Sequence, residues 1–206
     1  MKIYIIDYGM GNLRSVKNAF DSLDCQAVII DKPAELNRAD KIVLPGVGAF
    51  GDAMNNLKNA GWLEALNKEV IQKSKHFLGI CLGMQVLAGI GTEHGIHKGL
   101  GWLSGSVNRL SGEQANFRIP HIGWNDVKLV EGKMLYNGLG DIQSFYFVHS
   151  YVFCPEDTGV VSGICDYGGD FVASIEKNNI FAVQFHPEKS HKIGLTVLKN
   201  FVLAKN

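Results

Sequence analysis

The first eighty residues alternate short apolar runs with segments of helical periodicity, and this alternation constrains the fold more than any other feature. Four runs have the length of buried strands: 3–6, 27–30, 41–44 and 77–80. After the first run, apolar residues recur at the i, i+3, i+4, i+7 spacing of one helix face: Val16, Ala19, Phe20 and Leu23. Strands that alternate with helices form a parallel sheet covered on both faces, and ligands bind at the carboxyl ends of its strands. The pattern therefore predicts an α/β fold with a central, mostly parallel sheet.

Two further helices are predicted before the fourth run. Asp52 is expected to cap a helix that carries Met54 and Leu57. The next helix is marked by a stripe of apolar residues: Leu63, Leu66, Val70 and Ile71. From about Gly99 the pattern changes to short strands separated by Gly and Asn: 106–110, 126–130, 145–153, 159–167, 171–176 and 180–185. A closing helix is predicted over 193–203, and because no linker, repeat or low-complexity tract interrupts the chain, residues 1–206 are expected to form a single domain.

Composition narrows the possible partners. The chain of 206 residues has 20 Lys+Arg against 20 Asp+Glu, and without a basic block it has no electrostatic attraction for nucleic acid or anionic membranes. Its four cysteines form no C-x-x-C pair, which argues against a thiolate zinc site or a disulfide framework. The apolar run at the N-terminus is too short for a signal peptide. A cytoplasmic protein that acts on small molecules or proteins is expected.

The most informative motif is Gly-x-Cys-x-Gly at 79–83, where the fourth apolar run ends. Glycines two places either side of a nucleophile leave room for a sharp strand-to-helix turn that exposes its side chain. At the start of a helix, aligned peptide dipoles favour the Cys81 thiolate, and the Leu82 amide is placed to stabilise an oxyanion. A cysteine in an apolar run is more often a buried hydrophobe, and here the flanking glycines favour the nucleophile.

A thiol nucleophile needs a base and a group that orients the base, and His186-Pro187-Glu188 supplies both. Pro187 disfavours helical backbone at His186, so the segment is predicted to be extended. In an extended chain, side chains at i and i+2 point to the same side, which turns His186 and Glu188 toward one site. Alone, the tripeptide is equally compatible with an ordinary turn. Together with Gly-x-Cys-x-Gly, it indicates a catalytic set of cysteine, histidine and glutamate.

Three other segments are weaker signals. Pro45-Gly46-Val47-Gly48 follows a strand, and its amides can approach developing negative charge, although a tight turn has the same composition. The segment 9–14 lacks the third glycine of a dinucleotide-binding loop, because Arg14 stands at that place, so no Rossmann cofactor site is predicted. His94 and His97 lie in a Gly-rich loop without an obvious third ligand, which favours a solvated loop over a metal site.

Taken together, these residues resemble the class I (triad) glutamine amidotransferases, and within them the glutaminase subunits of imidazole glycerol phosphate synthases. The resemblance runs from residue 1 to the last helix and rests on six segments: 7–15, 45–50, 79–85, 120–125, 146–151 and 184–190. The cysteine and His-Pro-Glu segments are shared across the class, whereas Asp-Tyr-Gly-Met-Gly-Asn and His-Ile-Gly-Trp-Asn mark the subfamily. The resemblance implies a flavodoxin-like fold with additional strands in the C-terminal half, and no cofactor.

The resemblance also implies a mechanism. His186, held by Glu188, takes the proton of Cys81, and the thiolate attacks the side-chain amide of glutamine. The oxyanion meets the backbone amides of Leu82 and Val47, ammonia leaves, and water then releases glutamate. The residues implied in holding the glutamine are Gly46, Gly48, Gln85, His149, Ser150 and Tyr151.

In the family, the ammonia passes to a cyclase subunit of the (β/α)₈-barrel type, within a heterodimer of histidine biosynthesis. A dry passage fits this arrangement, because ammonia in neutral water is mostly protonated and no longer nucleophilic. Candidates for the partner-facing surface are Asn12, Trp124 and Tyr146. A place in the core is an equally open reading for the two aromatic residues.

The acceptor of the ammonia stays open. After His-Pro-Glu-Lys-Ser the chain continues with His191-Lys192-Ile193-Gly194-Leu195, which also resembles paralogues that supply ammonia for the amidation of a bacterial surface sugar. A further alternative is a non-catalytic subunit that retained the fold. The intact set of Cys81, His186 and Glu188 argues against that alternative.

Overall fold

The computed structural model describes residues 1–111 and 117–205. Its first half alternates strands and helices: β1 (Lys2–Ile6), α1 (Leu13–Asp21), β2 (Gln26–Ile30), β3 (Lys41–Gly46), α2 (Phe50–Asn59), α3 (Trp62–Leu66), β4 (His76–Cys81) and α4 (Leu82–Gln85). A 3₁₀ helix over Pro33–Arg38 precedes β3, and a π-helix over Asn67–Gln72 continues α3. This half follows the alternation expected from the apolar runs.

The second half is mostly β: β5 (Ile90–Gly91), β6 (His97–Lys98), β7 (Gly105–Arg109), β8 (His121–Leu129), β9 (Ile142–His149), β10 (Tyr151–Pro155), β11 (Val161–Asp166), β12 (Asp170–Lys177), β13 (Ile180–Val183) and finally α5 (His191–Leu203). Short 3₁₀ helices lie at Met134–Tyr136, Thr158–Val160 and Pro187–Lys189. Within the described residues, no helix has the length and apolar character needed to cross a membrane.

A nine-stranded sheet organises the molecule, in the order β2-β1-β3-β4-β13-β12-β11-β8-β9. The strands from β2 to β13 in that order are parallel, and the remaining four continue the sheet as antiparallel strands. β3 and β4 pair with Gly46 opposite Cys81. Two of the segments singled out in the sequence therefore lie side by side at the carboxyl ends of neighbouring parallel strands.

Helices cover both faces of the parallel strands. Because side chains along a strand alternate between its two sides, each strand contributes to a core cluster on either face. One core cluster joins β1 to α1 and α5: Ile3, Ile5, Phe20 and Phe201. The other joins β1 to α2 and α3: Tyr4, Ile6, Leu57 and Trp62. The fully apolar run of β1 is thus explained by burial on both sides.

The strand expected over 145–153 divides at Ser150 into two strands that belong to different sheets. β9 pairs with β8 in the large sheet, whereas β10 pairs with β7 in a separate four-stranded sheet of order β10-β7-β5-β6. The alternation of buried residues along β9 breaks at the division, where Ser150 and Tyr151 are both half-buried and Val152 and Phe153 are both buried. Tertiary pairing decides where this strand ends.

Two helix predictions need correction. Asp52 lies within the first turn of α2 and does not cap it, because the cap position is Ala49 and the Phe50 amide donates to Glu93 Oε2 at 2.8 Å. The stripe expected over 63–71 is shared between α3 and the π-helix. The wider turn of a π-helix shifts the direction of successive side chains, and Ile71 is 43% exposed.

Candidate active site

Cys81 lies at the turn between β4 and α4, with φ 54° and ψ −110°, a strained backbone conformation for a residue with a side chain. The flanking glycines permit this turn by close backbone approach. A Cβ on Gly83 would overlap the carbonyl oxygen of Leu44, and one on Gly79 would lie 2.5 Å from the carbonyl oxygen of Gly83. The geometry agrees with the nucleophile elbow expected from Gly-x-Cys-x-Gly.

The helix that follows Cys81 is short. α4 comprises four residues, Leu82–Gln85, and the chain then continues in tight turns. A helix of one turn sums few peptide dipoles, so its effect on a thiolate at its start is small compared with that of a long helix.

His186 follows β13 and forms a close pair with Glu188, with Nδ1 2.8 Å from Oε1. The predicted reason for their proximity is only half right. His186 itself is extended, at φ −100° and ψ 95°, but Pro187–Lys189 form a 3₁₀ turn that brings the carboxylate back to the ring. The His186 amide donates to Tyr146 O at 2.9 Å, which ties this turn to β9.

The electrostatics of the pair favour a charged imidazole. Burial of the ring opposes its charged form, but the proximity of Cys81 and the hydrogen bond and charge of Glu188 outweigh burial and raise the pKa of His186 to about 10. Nε2 of His186 is buried, and among the described residues it has no partner of good hydrogen-bond geometry. Since Cys81 is close enough to raise the pKa of the ring, the three side chains form one interacting group.

Cys81 opens into a pocket of about 440 Å³. It is lined by Val47, Gly48, Ala49, Cys81, Leu82, Gln85, Glu93, Pro120, Val148, His149, Ser150 and Tyr151. The structure thus brings together nearly all the residues expected to hold glutamine or its oxyanion. Gly46 lies just outside the lining, against Tyr8, whose hydroxyl would overlap a Cβ at that position.

Glu93 is a pocket residue that the sequence analysis did not identify. Its carboxylate accepts from the Phe50 amide and adds a negative charge to one wall of the pocket. It lies in the Gly-rich loop with His94, where the residue pattern gave no sign of a carboxylate that faces the cysteine. Among residues 1–111 and 117–205, no group of three His, Cys, Asp or Glu is arranged to hold a metal ion, and His97 packs against Gly51.

Gln184 is the second residue that the sequence analysis missed. It is completely buried, and its Nε2 lies 3.6 Å from Cys81 Sγ. Its Oε1 accepts from Gln85 Nε2 at 2.9 Å. The residue belongs to segment 184–190, which contains His-Pro-Glu, but only the pairing of β13 with β4 shows that it contacts the cysteine.

His149 and His121 form a buried pair at the back of the pocket, with His121 Nδ1 3.0 Å from His149 Nε2. His149 Nδ1 lies 3.1 Å from Tyr151 O, which can only accept, so Nδ1 carries the proton. Burial lowers the pKa of His149 to about 3 and that of His121 to about 4. Both rings are therefore neutral beside the charged His186.

Of the candidate partner-facing residues, Trp124 and Tyr146 contact each other, and Asn12 is exposed at the start of α1. Trp124 is 47% exposed, which rules out a core position, and its ring stacks on His191 at a centroid distance of 4.9 Å. Tyr146 is half-buried and contacts Trp124 edge to face. Asn12 accepts from the Ser15 amide at the start of α1.

Comparison with known proteins identifies relatives along the whole chain. Residues 4–205 match the family model "Glutamine amidotransferase class-I". Imidazole glycerol phosphate synthase subunit HisH 1 of Campylobacter jejuni is 47% identical, covering 97% of this chain and 98% of its own. Subunit HisH of Chlorobaculum tepidum is 48% identical at the same coverage, and that of Pelagibacter ubique is 42% identical over 98% of this chain and 99% of its own.

Solved structures of lower identity share the fold. PurLQS from Thermotoga maritima has a TM-score of 0.75 at 19% identity, covering 98% of this chain and 97% of that chain. A crystal structure of a glutamine amidotransferase has a TM-score of 0.73 at 23% identity, covering 97% of both chains. Family match, relatives and fold agree, and the chain belongs to the class I glutamine amidotransferases.

Proposed function

We propose that this chain is the glutaminase subunit of imidazole glycerol phosphate synthase. It hydrolyses glutamine to glutamate and ammonia, and the ammonia passes to a cyclase subunit in histidine biosynthesis. The observation that carries the proposal is the grouping of the pocket residue Cys81 with His186 and Glu188, in a chain 42–48% identical to three subunits of that name over nearly its full length. We place the enzyme in the cytoplasm, as a single domain.

The chemistry follows from the raised pKa of His186. The imidazole holds the proton that leaves Cys81, and the thiolate attacks the side-chain carbonyl carbon of glutamine. The carbonyl oxygen becomes an oxyanion near the amides of Val47 and Leu82, which line the pocket beside the cysteine. His186 then donates its proton to the leaving nitrogen, ammonia departs, and a thioester remains. Water, deprotonated by His186, breaks the thioester and releases glutamate.

The polar ends of the substrate have matching groups in the pocket. Both N–H bonds of Gln85 Nε2 are engaged, to Tyr151 O and Gln184 Oε1, so only its Oε1 is available to a ligand. This oxygen and the Glu93 carboxylate suit the α-ammonium group of glutamine. Gly46, Gly48, His149, Ser150 and Tyr151 complete the proposed binding site.

The proposed partner is a (β/α)₈-barrel cyclase subunit that forms a heterodimer with this chain. The exposed Trp124, with Tyr146 and Asn12, supports a docking surface, because aromatic residues are enriched in interface cores. No cofactor enters the proposed reaction.

The proposed function is tested by reconstitution with the cyclase subunit of the same organism. The complex is expected to form the imidazole product with either glutamine or ammonium salts as nitrogen source. Cys81→Ala is expected to abolish the glutamine-dependent rate and to preserve the ammonia-dependent rate. Loss of both rates in a folded complex, or glutamine-dependent turnover by Cys81→Ala, would contradict the assignment.

A second candidate, ammonia supply for the amidation of a surface sugar, is supported by the residues after His-Pro-Glu-Lys-Ser. His191, the first of them, stacks on Trp124 at the candidate partner surface, where a different partner would be recognised. Complementation separates the two functions. Growth without histidine in a strain that lacks the glutaminase subunit supports the first, and its failure with soluble protein present supports the second.

A further inference from the structure

Gln184 is a buried polar side chain that lies within hydrogen-bond distance of the proposed nucleophile but has no part in the reaction described above. Its backbone amide donates to Ala173 O at 2.8 Å, which holds the residue at the end of β13 beside β12. Its side chain is fully buried and reaches Cys81 Sγ at 3.6 Å from Nε2. This distance is within the range of a hydrogen bond to sulfur.

The direction of the Gln184 amide is determined by its neighbours. Tyr151 O can only accept, so the Gln85 group 2.9 Å from it must be Nε2. The same Nε2 lies 2.9 Å from the Gln184 amide, and a donor requires the oxygen of that amide to face it. The nitrogen of Gln184 is therefore left to face the sulfur. One backbone carbonyl thus orients two side-chain amides in series.

We propose that Gln184 is a catalytic residue whose Nε2–H donates a hydrogen bond to Cys81 Sγ and stabilises the thiolate. Gln85 is the positioning residue that keeps this donor turned toward the sulfur. The inference rests on the proposed role of Cys81 as the nucleophile. It also accounts for thiolate stabilisation in a site where the following helix has only four residues.

The donor acts at two points of the reaction. Before attack, it increases the fraction of Cys81 present as thiolate at neutral pH. During hydrolysis of the thioester, water adds to the carbonyl carbon, the C–S bond breaks, and its electron pair returns to sulfur. A donor already directed at the sulfur stabilises this leaving thiolate without reorganisation.

The test is the pH dependence of Cys81 alkylation by iodoacetamide in the full chain, followed by mass spectrometry of the peptide that contains Cys81. Gln184→Leu removes the donor, and the pH midpoint of alkylation is expected to rise by about one unit, so the rate well below the midpoint falls roughly tenfold. Gln184→Glu keeps the size of the side chain and the contact to Gln85, but places an anion beside the sulfur. Its midpoint is expected to rise further still.

Gln143→Leu is the matched control, because Gln143 lies on β9 and bonds to Gly140 O at 3.3 Å, away from the pocket. Its alkylation profile is expected to equal that of the unmodified chain. Gln85→Met frees the Gln184 amide to rotate, and a smaller upward shift is expected. If Gln184→Leu does not fold, the other three variants provide the test. The pH midpoint of alkylation is then expected to be lowest in the control, higher in Gln85→Met and highest in Gln184→Glu.

An unchanged midpoint in folded Gln184→Leu would overturn the proposal, as would a midpoint for Gln184→Glu at or below that of the unmodified chain. The alkylation readout needs neither glutamine nor a partner subunit. Failure of the proposed glutaminase reaction would appear in the hydrolysis assay and leave these midpoint shifts intact, so the two ideas fail separately.

Discussion

At the scale of single residues, the nucleophile turn shows what a short motif can predict. Gly79 and Gly83 are required because backbone atoms lie where their Cβ atoms would be, and spacing alone indicated this. Gln184 could not be predicted in the same way. Its contact with Cys81 depends on the pairing of β13 with β4, which no local pattern encodes.

Gly83→Ala is expected to lower the free energy of unfolding by at least about 2 kcal/mol, because the new methyl group overlaps the backbone oxygen of Leu44. Urea denaturation followed by circular dichroism measures the change. Gly140→Ala is the control, since among the described residues the nearest atom to a Cβ there belongs to the flexible Gln143 side chain, at 3.5 Å. Equal stabilities of the two variants would contradict the explanation of the turn.

Glu188→Gln is expected to lower the pKa of His186 from about 10, because the hydrogen bond remains but the negative charge is lost. In the unmodified chain, the stabilisation linked to His186 is complete below its ordinary pKa of 6.5 and is lost as the pH rises toward 10. The variant should show a weaker loss of stability over that interval and a kcat for glutamine reduced at least roughly tenfold. Unfolding measured from pH 6 to pH 10 tests the first expectation.

At the scale of elements, hydrogen bonds between side chains join strands that the residue pattern treats as separate. His121 on β8 and His149 on β9 link these strands to Tyr151 on β10, just across the division at Ser150. Asn125 Nδ2 lies 3.4 Å from His121 Nε2 and also donates to Asp166 O at the end of β11. Strand existence could be predicted here, but strand ends and partners could not, since these links determine them.

Both histidines of this pair are expected to carry their proton on Nδ1 and to stay neutral down to about pH 5, since burial lowers their pKa values to about 4 and about 3. Two-dimensional ¹H–¹⁵N spectra of the imidazole rings identify the tautomers. The stacked Tyr167 and the nearby His186 are the titratable groups that face the pair. Between pH 6.5 and pH 4, the two histidines are protonated in the unfolded chain but stay neutral in the folded chain. The free energy of unfolding should therefore fall as the pH drops through this interval. An Nε2–H tautomer for either ring would contradict the assigned hydrogen bonds.

Lys41 joins β3 to the end of α5, where its Nζ donates to Phe201 O at 2.9 Å and to Ala204 O at 2.6 Å. Lys41→Met is expected to lower the free energy of unfolding by about 1–3 kcal/mol, because two buried carbonyl groups lose their donor. Lys128→Met, at an exposed position on β8, should change it by less than about 0.5 kcal/mol. Chemical denaturation of the three proteins measures both. Equal stability of all three would show that the carbonyl groups find other partners.

At the scale of the whole molecule, the parallel half of the sheet positions Cys81 and His186. The antiparallel half carries Trp124 and Tyr146, the aromatic residues of the candidate docking surface. The position of the site could be predicted from the sequence, because buried parallel strands are recognisable as continuous apolar runs. The position of the docking surface could be predicted only in part. Trp124 as an aromatic residue was compatible with core or surface. Its exposure follows from the side of β8 on which it lies, because Ile122 on that side is exposed as well, whereas Val127 on the other side is buried.

Trp124→Ala is expected to raise the Kd for the cyclase subunit roughly tenfold, because truncation of a central aromatic residue commonly costs that much or more. Titration calorimetry with the purified partner measures the effect. Ile142→Ala is the control, because Ile142 is exposed at the start of β9, away from Tyr146, the residue that pairs with Trp124. Equal affinities for the two variants would place the docking surface elsewhere.

Cys81 and the histidine segment lie at the ends of neighbouring strands, yet the contact between Gln184 and Cys81 spans 103 residues of chain. Loop closure over such a length is slow compared with the formation of local βα units. During refolding, secondary structure in the first half should therefore return before any turnover of glutamine. The rate at which activity returns after dilution from denaturant therefore measures the late docking of β13 onto β4.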